Sequence, residues 1–191
     1  MQIASIGKES YTGGYHSFKK ILRIEEDGSK IISREYTGWQ HFKSDYISSA
    51  YDTSENKLVV TYRDLNTSNQ GAAIVGTVSG TSISFGTKAV FLAANNCNLI
   101  QTIYSSYYNS TLTTFRDSTP SNHLTMVVGN VSGTDISFQT PVIASTSNTG
   151  SNSLTYDTAN NVAFASYHIF GSDSRASIIE MATVSKNLTA E

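Results

Sequence analysis

The decapeptide Gly76 to Phe85, GTVSGTSISF, returns 53 positions later as Gly129 to Phe138, GNVSGTDISF, with eight of ten letters unchanged. The same offset carries Tyr51 onto Tyr104 and Tyr62-Arg63-Asp64 onto Phe115-Arg116-Asp117, so the match spans a whole structural unit. Self-similarity at a period near 50 residues marks stacked supersecondary units, each of which buries its apolar face against a neighbour. A chain written this way folds as an array.

The first clear unit splits into short apolar segments separated by turn residues. Ile47 to Tyr51, Lys57 to Asp64, Ala72 to Val78 and Ser82 to Phe85 each have strand length, and the last alternates polar with apolar residues, as a strand with one wet face does. Asp52 to Asn56 supplies one turn, and Ser79-Gly80 a tight reversal that exploits the freedom of Gly at positive φ. Unit two repeats the plan with Leu99 to Tyr104, Thr111 to Asp117, Thr125 to Val131 and Asp135 to Phe138. Unit three keeps Ser153 to Tyr156, Val162 to Tyr167 and Ser177 to Val184, and Tyr156-Asp157-Thr158 repeats Tyr51-Asp52-Thr53 word for word. It ends without a clear fourth strand.

The fold class predicted is all-β: a repeat array of four-stranded antiparallel blades, β-propeller-like, with about 3.5 to 4 blades in a single repeat domain over residues 1–191. Residues 1–45 form a divergent partial unit, 46–97 unit one, 98–150 unit two and 151–191 a truncated unit three. In the partial unit, Ile21 to Ser33 reads as two strands around an Asp27-Gly28 hairpin. Gln2 to Ile6 resembles Pro141 to Ser145, and would close the ring by supplying the strand missing beside unit three; equally weighted is closure by oligomerisation or within a longer fibre, and a β-sandwich is the further alternative.

Composition agrees. Eleven Tyr, eight Phe and abundant Ser, Thr, Val and Ile favour pleated surfaces, while a charged fraction of 15% leaves little helix-forming text. A net charge of −2 provides no basic field for nucleic acid. Cys97 is the sole cysteine, so no intrachain disulfide is expected and a core thiol is. The opening MQIASIGKESYTGG reads as no signal peptide, and no run of about 18 apolar residues suggests membrane insertion. The histidines at 16, 41, 123 and 168 lack metal-site spacing, so neither a metal nor another cofactor is expected. Four Asn-x-Ser/Thr sequons, at Asn66, Asn109, Asn130 and Asn187, are what an Asn-, Ser- and Thr-rich chain produces by chance.

The text SAYDTSENKLVVTYRD followed by GAAIVGTVSGTSISFGTKAVF, within residues 49 to 91, resembles repeats of tail-fibre-like and adhesin-like proteins of marine bacteriophages and bacteria. That resemblance covers residues 46 to 185 well and residues 18 to 36 loosely. It implies a propeller-like array for display or attachment, on a virion tail fibre or an extracellular surface, with cell-surface polysaccharide or glycoprotein as partner. The chain departs from the pattern in unit three, where Tyr167-His168-Ile169 stands for Tyr-Arg-Asp.

Arg63-Asp64 and Arg116-Asp117 close second strands and open into polar loops containing Asn66, Asn69, Asn122 and His123. Planar hydrogen-bonding groups beside an aromatic ring suit sugars, so these residues, with Tyr107 and Tyr108 as stacking surfaces, form the candidate ligand-binding set. The competing interpretation is that the Arg-Asp pairs lock neighbouring blades. Trp39 is a further stacking candidate or a core residue. The carboxylates Asp52, Asp64, Asp117 and Asp157 sit mostly at repeat-equivalent positions, as turn-formers would, so no catalytic residue is expected and a sialidase-like hydrolase ranks third. The function expected is a non-enzymatic glycan-binding module. The alternative is a structural or virion-assembly domain that contacts proteins through exposed strand edges.

Overall fold

The computed structural model describes residues 2–11, 14–24, 31–37, 44–80, 82–93, 96–119, 121–172, 174–181 and 188–190, with side chains described between 44 and 179. It is all-β and antiparallel, with four sheets in chain order. The first contains β1 (Gln2–Tyr11), β2 (Gly14–Ile24) and β3 (Ile31–Thr37). The second contains β4 (Ser44–Asp52), β5 (Lys57–Asp64), β6 (Gln70–Ser79), β7 (Ser82–Phe85) and β8 (Ala89–Leu92). The third repeats it with β9 (Cys97–Ser105), β10 (Ser110–Asp117), β11 (His123–Ser132), β12 (Asp135–Phe138) and β13 (Val142–Ser145). The fourth holds β14 (Thr149–Asp157), β15 (Val162–Ile169), β16 (Ser174–Met181) and β17 (Leu188–Ala190).

The 53-residue offset survives as a register. Leu58 pairs with Gly76 and Thr111 with Gly129; Gly76 pairs with Phe85 and Gly129 with Phe138. The irregularities repeat too. A bulge between Asp45 and Ser48 holds Tyr46 at φ 48°, and the equivalent irregularity in β9 holds Leu99 at φ 53°. The backbone of both residues occupies the left-handed region that non-glycine residues seldom enter, and the bulge redirects the first strand of each sheet. Gly80 and Gly133, at φ 56° and 62°, make the tight reversals the sequence pointed to.

Two strands escape the sequence pattern. β8 and β13 pair with the same edges of β6 and β11 that β7 and β12 occupy, each one register step further along, so the outer strand of these sheets is a single strand interrupted by a bulge. The outermost strand of the fourth sheet is β17, paired with β16. The expectation that Gln2 to Ile6 fills that place is therefore corrected: these residues belong to β1 and pair with Leu22 to Arg23 and their neighbours in β2. β2 and β3 are the strands anticipated within Ile21 to Ser33, while Asp27-Gly28 and Trp39 lie outside the described residues.

Packing between sheets explains the apolar text of the central strands. Val59, Ala73 and Val75 meet Ile136 and Phe138 of the third sheet. Leu112, Met126 and Val128 meet Ala163, Ala165 and Ile179 of the fourth. β5 and β6 are thus covered on both faces and read as near-continuous apolar runs, whereas β7, on an edge, alternates exposed with half-buried positions. The first strands β4, β9 and β14 pack on one another in order, and β1 and β2 pack on β4. Buried hydroxyls stitch the same joints: Thr61 Oγ1 lies 2.6 Å from Thr102 Oγ1, itself 3.0 Å from Thr113 Oγ1, and Thr114 Oγ1 donates to Asn152 Oδ1 at 3.0 Å. Gly86 marks a close approach, since a Cβ there would stand 1.9 Å from the Thr134 carbonyl oxygen across the joint.

Because Leu112 is fully buried between two sheets and Ile178 is 52% exposed, Leu112→Ala is expected to cost about 2–5 kcal/mol by denaturant titration. Ile178→Ala should cost less than about 1 kcal/mol. Equal losses at the two positions would contradict the stacking described.

Candidate ligand-binding face

The turn between the first two strands of each sheet is built by one device. Tyr51 Oη donates to Asn56 Oδ1, Tyr104 Oη to Asn109 Oδ1 at 3.3 Å and Tyr156 Oη to Asn161 Oδ1 at 3.2 Å. The three Asn residues have φ of 56°, 48° and 58°, a conformation Asn tolerates better than most side chains. Asp52 Oδ1 accepts the Ser54 and Glu55 amides, Asp157 Oδ1 accepts those of Ala159 and Asn160, and Ser105 Oγ accepts Tyr108 N where the Asp is replaced. Hydrogen bonds from the Asn160 side chain and these amides hold the Asp157 carboxyl below its ordinary range. Its contribution is therefore present above the usual carboxylate pKa and lost as pH falls through the lowered value. The Tyr-Asp-x-x-x-Asn text is a turn.

At the opposite end of the second sheet, Arg63 is fully engaged. Its Nε and Nη2 donate to Asp45 Oδ1 and Oδ2 at 2.6 and 2.5 Å, and Nη1 donates to Asn98 Oδ1 of the third sheet and to Asn96 Oδ1 at 3.0 Å. The guanidinium carbon also lies 4.6 Å from the centroid of Tyr46, whose ring is 38% exposed. Asp64 is fully buried and equally committed: it accepts Asn66 N at 2.9 Å and Thr67 Oγ1 at 3.3 Å and pairs with Lys88 Nζ at 2.8 Å. The Asn69 carbonyl accepts Cys97 N at 3.1 Å, tying the loop to the third sheet. Arg63 thus joins two sheets, the locking role.

Arg116 occupies the equivalent place with different company. Its cross-strand neighbour is Asn98 where Arg63 faces Asp45, and Asn98 already accepts Arg63 and donates to Asn96 O at 3.0 Å and Ser118 Oγ at 2.8 Å. Among the described residues Arg116 Nη1 reaches the Thr149 carbonyl of the fourth sheet, at 3.3 Å, and its buried Nε has no partner. Asp117 accepts Thr119 N at 2.9 Å, and the position one repeat on from Lys88 is Pro141, which carries no charge to pair with it. The Asn122 carbonyl accepts Thr149 N at 3.0 Å, and half-buried His123 keeps Nδ1 unpartnered. Of the ion pairs among the described residues, Arg63–Asp45 and Lys88–Asp64 both belong to the second sheet.

The candidate set is therefore divided. Arg63, Asp64, Asn66 and Asn69, with Arg116, Asp117, Asn122 and His123, share one end of adjacent sheets, with Asn66 exposed. Tyr107 and Tyr108 lie in the β9–β10 turn at the other end, rings edge-on at 4.8 Å, with Tyr107 58% exposed and Tyr108 packed on the core. The structure adds Tyr46, an exposed aromatic at the arginine end. Sequence reasoning missed it because its repeat equivalent is Leu99, so periodicity gave no signal. Cys97 is fully buried against Phe91 and Phe115, and that burial, with Asp117 nearby, raises its thiol far above the ordinary value. Among the described residues no group of His, Cys, Asp or Glu is placed to hold a metal ion. No protein-family model and no curated protein matches the chain.

Removing Arg63 takes from Asp45 its bidentate partner and breaks the bridge to Asn98 of the third sheet, so Arg63→Ala is expected to cost about 2–3 kcal/mol in denaturant titration. Arg116→Ala, which breaks one long hydrogen bond, should stay within about 1 kcal/mol of wild type. The reverse order would mean that Arg116 is the structural residue.

Proposed function

We propose that this chain is a non-enzymatic repeat module of a tail-fibre-like or adhesin-like protein, its four sheets acting as propeller-like blades that present one loop end to surface glycan. The observation that carries this reading is Arg116. A guanidinium whose equivalent is saturated by Asp45 and two Asn side chains has, among the described residues, a single carbonyl here, so it retains capacity for an acidic or hydroxylated sugar. Tyr46 supplies a stacking ring at the same end, and Asn66 an exposed amide. The ordered packing of β4, β9 and β14 supports a blade-like arrangement about a common axis. Single sugar contacts of this kind are weak, and valency on a fibre raises the avidity.

Occupation of the repeated carboxylates favours binding over hydrolysis. Asp52, Asp64, Asp117 and Asp157 each accept backbone amides of their own turns, the part of turn-formers and not that of a general acid and base. An assembly role is the second reading, favoured by the apolar side chains exposed on the fourth sheet.

A broad array of bacterial and algal surface glycans, probed with labelled protein, tests the proposal. Selective binding is expected, lost in Arg116→Ala and weakened in Tyr46→Ala, with Tyr107→Ala unchanged because it lies at the far end. A blank array from folded protein, or binding indifferent to Arg116, would overturn it.

A further inference from the structure

In the second and third sheets the face turned toward the following sheet is buried. Val59 and its cross-strand partner Val75 are both 0% exposed; one repeat on, Leu112 and Val128 are 0% and 4% exposed. The equivalent pair in the fourth sheet is Phe164 and Ile178, and Ile178 is 52% exposed. Neighbours on this face follow suit: Ser166 and Ala176 are exposed where Thr61, Ala73, Thr114 and Met126 are buried. Phe170, 54% exposed, extends the patch, its ring 5.2 Å from that of His168. β15 accordingly alternates between buried and open positions along most of its length, while β5 and β10 are buried nearly throughout.

We infer that this face is an interface for a second copy of the chain, which seats its first sheet there head to tail. The argument is continuity. The chain makes a joint between its second and third sheets and again between its third and fourth with equivalent strands: β4 packs on β9 as β9 packs on β14, β5 on β9 as β10 on β14, and β6 and β8 on β12 as β11 and β13 on β17. The fourth sheet presents the half-joint that both earlier sheets present, so the surface that fits it is another sheet of this repeat. Among the described residues, strands of the first sheet, at the other end of the array, pack on β4 and not on β14 as β4 and β9 pack on each other. The joint is heterologous, since the face used differs from the face received. Association therefore propagates until a ring closes, instead of stopping at a two-fold dimer. This inference does not rest on glycan binding.

Solution mass, measured without glycan from low micromolar to near-millimolar concentration, is the test. Wild-type mass is expected to climb with concentration. Ile178→Asp should raise the half-association concentration at least about tenfold with the melting temperature preserved. Ser166→Arg, which adds bulk at an exposed small residue, should do the same and covers the case in which Ile178→Asp fails to fold. A monomer at every concentration would overturn the proposal, whether the face is covered from within the chain or by another partner. Association unchanged in both variants would overturn it as well, by moving the interface elsewhere.

Discussion

Everything in this structure depends on sheets burying each other's faces. A lone sheet of short strands has one or two apolar faces and nothing to set against them, and marginal stability follows. Here the second and third sheets are covered on both sides, so their central strands carry almost unbroken apolar text, with Val59, Val60, Leu112 and Val127 fully buried. Several polar groups that enter these joints are satisfied in pairs, as in the chain of hydroxyls from Thr61 through Thr102 to Thr113, whereas the buried Thr125 Oγ1 has no partner. An unpaired hydroxyl in such a place would cost about 1–3 kcal/mol, which is why threonines recur at facing positions.

Repetition fixes the scaffold, and departures from repetition carry the individuality. Arg63 and Arg116 occupy the same register position, yet the replacement of Asp45 by Asn98 turns one from an inter-sheet clamp into a guanidinium with spare donors. Lys88, which pairs with Asp64, likewise has Pro141 as its repeat equivalent, so the third sheet does not repeat that ion pair. In the fourth sheet His168 follows in the arginine position, next to a face that opens to solvent.

Much of the fold was legible because a 53-residue offset and a period-two pattern are local signals. The turns at Gly80 and Gly133 and the buried thiol of Cys97 follow from residue chemistry alone. β8 and β13 were not legible: they are short and make only a few register pairs apiece, across a bulge that no sequence pattern announces. The place of Gln2 to Ile6 was misjudged because similarity to Pro141 to Ser145 concerns side-chain type, while the strand's partner is set by the adjacent β2 hairpin. For the candidate site, residue types were readable but roles were not. Whether an arginine clamps or binds depends on which side chain stands opposite it, and that register passes through the bulge at Tyr46. Tyr107 and Tyr108 separated from the arginine loops because a tyrosine two residues after the first strand belongs to the other end of the hairpin.

The central claim, that inter-sheet burial makes the array one cooperative body, is most directly tested by native-state hydrogen exchange resolved to individual strands. Amides of β5, β6, β10 and β11 are expected to share one highest opening free energy, equal to that of global unfolding, with β16 and β17 opening below it. Separate opening free energies for the second and third sheets, each unaffected by destabilising the other, would describe independent hairpins and contradict the account.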